Sequence, residues 1–223
     1  MSDNMANNCW YCMSVVGPRE SIERLYSIMN YEDPKLYIYR VFEATWCDEP
    51  EEIEDGRYFA KISGDVAWSI SSWLDDIPYV TRNDRRLYVN LRFLSDLLHL
   101  DFEIQSEEPG CAFQQHCVIV NGEVKMYQDC TWFDLYYDTN DFEDISKVIE
   151  DINGIIMKYD DIKEAFKGND VHKNMIDEIY EIYKDCDYLS IELGGYGRDT
   201  VVGDDIIDGD VKKWKVNSYE IIY

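Results

Sequence analysis

Three sets of residues in this chain have the chemistry to do more than pack. Cys9-x-x-Cys12 is the spacing of a thiol pair, the kind that binds a metal or cycles between dithiol and disulfide. His116 sits beside Gln114 and Gln115 and follows Glu107 and Glu108. That grouping supplies a base near neutrality and carboxylates to work with it. The third set is acidic. Asp48, Glu49, Glu51, Glu52, Glu54 and Asp55 fall within eight residues, and Asp204, Asp205, Asp208 and Asp210 within seven. Against 46 acidic residues the chain carries 21 basic ones, a net charge of −25. A protein this negative repels nucleic acid and anionic membranes and attracts basic partners.

Each set has a plainer reading. Cys9 to Val16 alternates and ends at Gly17-Pro18, as a strand entering a turn does. Residues three apart on a strand point to opposite faces, so Cys9 and Cys12 cannot share one ion. Small buried cysteines are the reading retained. His116 has no nucleophile motif near it, and a histidine on a hairpin is commonly a sheet residue. His99 and His172, each near a helix end, read the same way. Gly194-Gly195-Tyr196-Gly197-Arg198-Asp199 lacks the Lys-Ser/Thr of a phosphate loop, which leaves turn glycines. The aspartates of 204–210 lack the alternating ligands and final glutamate of a calcium loop. No cofactor and no metal are expected.

The elements that must position these residues follow from periodicity. Arg19 to Asn30 sets Ile22, Leu25, Tyr26 and Met29 at helical spacing. Leu36 to Trp46 reads as a second strand, Asp48 to Asp55 as an acidic loop, and Arg57 to Ser63 as a third strand. Ala67 to Ile77 and Leu87 to Leu100 read as helices, the latter with Leu87, Leu91, Leu94 and Leu98 on one stripe. Asp101 to Ser106 is the fourth strand. Asn121-Gly122 closes a two-residue hairpin. In that register Cys117, Ile119, Val124 and Met126 share an apolar side, and His116, Val118, Lys125 and Tyr127 a mixed one. Asp141 to Ile152 and Asp170 to Cys186 are helical, capped by Asp141 and by Asn169 or Asp170. Tyr188 to Leu193 and Trp214 to Tyr223 are strands.

The order βαββαβ predicts a ferredoxin-like antiparallel sheet of four strands over residues 1–130, with an added hairpin. An α+β C-terminal extension over 131–223 packs on it. The 223 residues are enough for a substantial core, with 46% hydrophobic and 14% aromatic content. No apolar run nears the roughly 20 residues of a membrane span, and Met1 to Ala6 lacks the character of a signal peptide. Seven cysteines then read as reduced thiols in a cytoplasm.

Three short motifs resemble the YubB ferredoxin-like domain family of phage and plasmid proteins. They are Met5-Ala6-Asn7-Asn8-Cys9 with Val15-Val16-Gly17-Pro18, Ala67-Trp68-Ser69, and Ser106-Glu107-Glu108-Pro109-Gly110 with Phe113. The resemblance covers roughly residues 5–130. Asn8 stands where the family has tryptophan, and Ile70-Ser71 where it often has two prolines. What the resemblance implies is a ferredoxin-like fold and a mobile-element origin, with no established activity to carry over.

The functional expectation is a non-enzymatic acidic interaction module of a phage or plasmid. It binds a basic host protein, such as a nucleic-acid-handling or defence protein, through carboxylates that imitate phosphates. The surface expected to do so comprises Asp48, Glu49, Glu51, Glu52, Glu54, Asp55, Glu107, Glu108, Asp204, Asp205, Asp208 and Asp210. Two alternatives stand beside it: an accessory protein whose acidity serves solubility, and a small enzyme built on His116 with Glu107 or Glu108. From the strand alternation at Cys9 and Cys12, protein purified without added metal is expected to contain no stoichiometric zinc. Elemental analysis checks this.

Overall fold

The computed structural model describes residues 8–38, 40–74, 86–139, 145–168, 170–183, 185–197, 202–203, 206–207 and 211–223. Alternating side chains and a Pro18 stop produce strand β1 (Asn8–Gly17), and Pro18 then caps helix α1 (Arg19–Met29). Next come β2 (Leu36–Tyr37), β3 (Thr45–Glu52), β4 (Tyr58–Ala67), β5 (Leu87–Tyr88), α2 (Leu91–Leu98), β6 (Asp101–Glu108), β7 (Phe113–Val120) and β8 (Glu123–Asp138). The chain ends with α3 (Ile145–Lys158), α4 (Asp160–Ala165), α5 (Val171–Ile182), β9 (Tyr188–Gly194) and β10 (Tyr219–Ile222).

Eight strands form one sheet in the order β10-β9-β8-β7-β6-β1-β4-β3, and β2 and β5 form a separate parallel pair. This overturns the expected ferredoxin-like βαββαβ fold, a four-stranded antiparallel sheet with an added hairpin. The free edge that a four-stranded sheet would leave at β6 exposes unpaired backbone donors and acceptors. Here it is taken up by β7, and the hairpin and C-terminal strands continue the same sheet.

Other expectations are corrected too. Leu36 to Trp46 is not one strand: two residues pair with β5, and the chain turns at Arg40 (φ 69°) before β3 begins. The acidic stretch from Asp48 is mostly strand β3 rather than loop, with register shifts around Asp48. Of Ala67 to Ile77, Ile70–Trp73 is a short 3-10 helix, and residues 75–77 lie outside the described ones. Leu87 belongs to β5, so the buried stripe of α2 is Leu91, Leu94 and Leu98. The cap candidates Asp141 and Asn169 lie outside the described residues. Asp170, the residue before α5, makes no side-chain cap bond.

Two compact units divide the chain: Met1–Gly110 with Gln115–Gln128 and Val201–Lys213, and Cys111–Gln114 with Asp129–Thr200 and Trp214–Tyr223. In the first, β1 pairs antiparallel with β4 on one side and β6 on the other. Tyr11, Met13 and Val15 point to the face that α1 covers and are fully buried. Tyr11 meets Trp73 edge to face at 4.9 Å, and Tyr26 of α1 stacks on Trp46 at 4.2 Å. On the opposite face Val16 packs with Val118, Met126 and Ile206. Covered on both faces, β7 buries Cys117, Val118 and Ile119 alike.

The Asn121-Gly122 turn forms with both φ positive (50° and 75°). The faces of β8 nevertheless differ from expectation, because Met126 shares a cluster with Val118 and Tyr127 bonds Gln115. Val124, expected on the apolar side, is exposed. The second unit has its own core. Val148, Ile152, Ile162, Met175 and Ile179 of α3–α5 bury against Leu189, Ile191 and Leu193 of β9.

One close approach in the first unit is unforgiving. A Cβ on Gly64 of β4 would lie 2.0 Å from the Glu43 carbonyl oxygen, which also accepts the Tyr11 hydroxyl hydrogen bond at 2.9 Å. Gly64→Ala is expected to cost about 3 kcal/mol and Tyr11→Phe about 1 kcal/mol. Urea unfolding of the two variants checks the order.

Candidate functional site

The strand pairings of the first unit bring separate segments to one end of β1. Asn8 pairs with Ala67, Cys9 with Val66, and Trp10 with both Asp65 and Glu107. Ala67-Trp68-Ser69 and Ser106-Glu107-Glu108 thus converge on Asn8-Cys9-Trp10, although about 60 and 100 positions separate them along the chain.

On the helix-bearing face a polar network closes this end. Gln115 Oε1 accepts from Ser69 Oγ at 2.8 Å and Ser106 Oγ at 3.0 Å, and its Nε2 donates to the Tyr127 hydroxyl at 2.8 Å. Ser69 also accepts the Ser71 N–H at the start of the 3-10 helix. Trp68, with φ 75°, is half exposed. Burial pushes the Cys9 thiol up to about 12 despite the Ser106 hydroxyl beside it.

The opposite face is polar. Its first row across β6, β1 and β4 is Glu107, Trp10 and Asp65, and its second is Gln105, Cys12 and Ser63. Glu103, Ser14 and Lys61 make the third. Cys9 and Cys12 therefore lie on opposite faces, as strand alternation requires. The third row is covered in part: Ser14 Oγ donates to the Val202 carbonyl at 2.9 Å, and the Gly203 N–H donates to Glu103 Oε2 at 2.5 Å.

The partner of His116 is this same Glu103. Nε2 lies 2.9 Å from Glu103 Oε1, and both side chains have 0% exposure. The Glu103 carboxyl there is met by a backbone N–H and an imidazole nitrogen, so both of its buried oxygens have partners. It is Glu103, rather than Glu107 or Glu108, that lies directly against the His116 ring. Glu107 is half-buried beside Trp10, while Glu108 is buried and accepts the Gly110 N–H at 3.0 Å in its own turn. His99 ends α2 in a left-handed cap (φ 56°), and exposed His172 meets Asn153 at 2.6 Å.

The other expected surface residues separate into two groups. Asp48, Glu49, Glu51 and Glu52 are exposed on β3, the last strand of the sheet, and Glu54 and Asp55 continue the row just beyond it. Asp204, Asp205, Asp208 and Asp210 lie outside the described residues. Among the described residues no three His, Cys, Asp or Glu side chains converge as metal ligands. None of the described helices is long and apolar enough to cross a membrane. Comparison with protein-family models, curated proteins and solved structures yields no match.

Sequence reasoning missed Glu103, Ser106, Asp65 and Trp10. Glu103 carries a faint signal, since a charge inside the strand Asp101–Glu108 needs a buried partner. Asp65 and Trp10 become neighbours only through the register.

None of the seven cysteines is joined in a disulfide. Burial raises the Cys9, Cys117 and Cys130 thiols from 9.0 to about 12, and Cys12 to about 11. Above pH 9 the unfolded chain releases protons that the folded protein retains. The stability from these thiols is therefore complete below about pH 9 and declines as pH rises toward about 12. The urea midpoint is expected to fall steadily over that window. At about pH 8, thiol reagents should modify exposed Cys47 and Cys111 and spare Cys9, Cys117 and Cys130.

Proposed function

We propose that this protein is a non-enzymatic acidic interaction module of a phage or plasmid. It binds a basic host protein that handles nucleic acid, presenting carboxylates in place of phosphates. The observation that carries this reading is strand β3. Asp48, Glu49, Glu51 and Glu52 are exposed along an extended edge strand. Four carboxylates fall within about 13 Å at roughly 3.3 Å per residue, about one charge per 4.4 Å, within a factor of about 1.3 of the about 3.4 Å spacing on one nucleic-acid strand. Two further exposed carboxylates, Glu54 and Asp55, follow in the short 3-10 turn after β3. The mobile-element origin rests on the resemblance of three segments to a phage and plasmid family.

The edge position favours a second reading. Charge on an edge strand prevents pairing with other chains, and in that case the carboxylates serve solubility alone. The two readings differ in their dependence on salt. A basic partner captured from host lysate is expected to release between roughly 0.05 and 0.5 M salt, across which the Debye length contracts through about 10 Å. Replacing Glu49, Glu51, Glu52 and Glu54 together by Gln should weaken binding at least about tenfold, mainly through slower association, and leave the unfolding midpoint in place. A partner indifferent to both salt and this substitution refutes phosphate mimicry.

A further inference from the structure

We propose that the open end of the polar sheet face in the first unit is a docking site for an arginine side chain of a basic protein, centred on Trp10. This rests on the reading above, that the partner is basic, and names the contact that gives it specificity.

The polar face is divided by what covers it. Ile206 packs on Val16, and Val202 and Gly203 lie over Ser14 and Glu103. Toward the other end of β1, Cys12, Ser63 and Gln105 are half-buried, and Trp10 is 40% exposed. An indole left in water on a sheet would be expected to gather apolar neighbours. Here its two cross-strand neighbours on the same face are carboxylates, Asp65 on β4 and Glu107 on β6.

That arrangement complements one chemical group closely. The face of an indole attracts a cation, and two flanking carboxylates accept hydrogen bonds from it. A guanidinium is planar, so it can lie on the ring while its N–H groups reach outward to carboxylates. An ammonium offers a point charge and a larger hydration shell. Arginine is therefore preferred to lysine. The carboxylates oppose phosphates, so nucleic acid and anionic lipid are not occupants. The row on β3 supplies attraction at a distance, and Trp10 supplies the contact that holds.

Titration calorimetry with a short peptide of alternating arginine and serine, and with its lysine counterpart, tests this. The wild-type protein should bind the arginine peptide several-fold more tightly. Trp10→Ala should weaken the arginine peptide about 3- to 30-fold and erase the preference, and Asp65→Asn should weaken it in the same direction. Trp10→Phe, which keeps a ring, should retain part of the preference. Unfolding midpoints of all three confirm an intact fold. The Glu49, Glu51 and Glu52 to Gln variant should weaken both peptides equally, since it alters only the long-range field. If that variant weakens binding while Trp10→Ala does not, the docking site is wrong and the acidic interaction reading stands. If neither peptide binds the wild type, both fail. If Trp10→Ala changes the sedimentation of the free protein but not peptide binding, the face is an interface between copies and the proposal is overturned.

Discussion

Strand β1 is hydrogen-bonded on both edges, and its register fixes nearly everything else in the first unit. Pairing Met13 with Ile62 and Ile104 commits the odd-numbered side chains to the core beneath α1. The same pairing commits the even-numbered ones to the polar face, where Trp10, Cys12 and Ser14 meet Asp65, Ser63 and Lys61. A slip by one residue would drive Trp10 into the core and Tyr11 into water. Core and candidate site are two faces of one alignment, so the site is as rigid as the sheet that carries it.

A chain with 46 acidic residues must spread its charge or pair it. Glu103 is paired, with His116 and a backbone N–H, and shows how much polar scaffolding one buried carboxylate demands. Asp33 is handled similarly. Burial pushes its carboxyl up, but the N–H groups of Lys35 and Leu36 together with Arg24 prevail and hold it below the usual range. The carboxylates of β3 are instead left in solvent, where water screens their mutual repulsion. Charge exposed at a sheet edge costs little in stability, which leaves it available for recognition.

How much of this was legible depended on how local the cause is. The strand at Cys9–Val16 and the helix after Gly17-Pro18 follow from alternation, a 3.6-residue period and a proline stop, and all of these act within one element. The left-handed turn at Asn121-Gly122 is equally local. The hairpin's faces were not legible, because the neighbours of Met126 and Tyr127 are set by packing beyond the turn residues. Leu36 to Trp46 misled because β-branched and aromatic residues favour both a strand and a short segment crossing over Gly64. Sheet extent was illegible in principle. Nothing near Asp101–Glu108 says that its second edge will be filled by β7 instead of solvent. Of the candidate site, the acidic row could be read directly, whereas Glu103 beside His116 and Trp10 between two carboxylates arise only from pairing at long range.

The hold of Val202 and Gly203 on Ser14 and Glu103 has a consequence for synthesis. Those bonds span 188 and 100 positions of chain. Glu103 and His116 are made early, yet the N–H group that completes their burial emerges only after most of the second unit. At about 5–20 residues per second, the interval between Glu103 and Gly203 lasts roughly 5–20 s. Throughout it Ser14 and Glu103 lack the partners that Val202 and Gly203 supply. Val202 and Gly203 therefore reach strands made 100 or more positions earlier, and the bonds at Ser14 and Glu103 form late in the synthesis of the first unit.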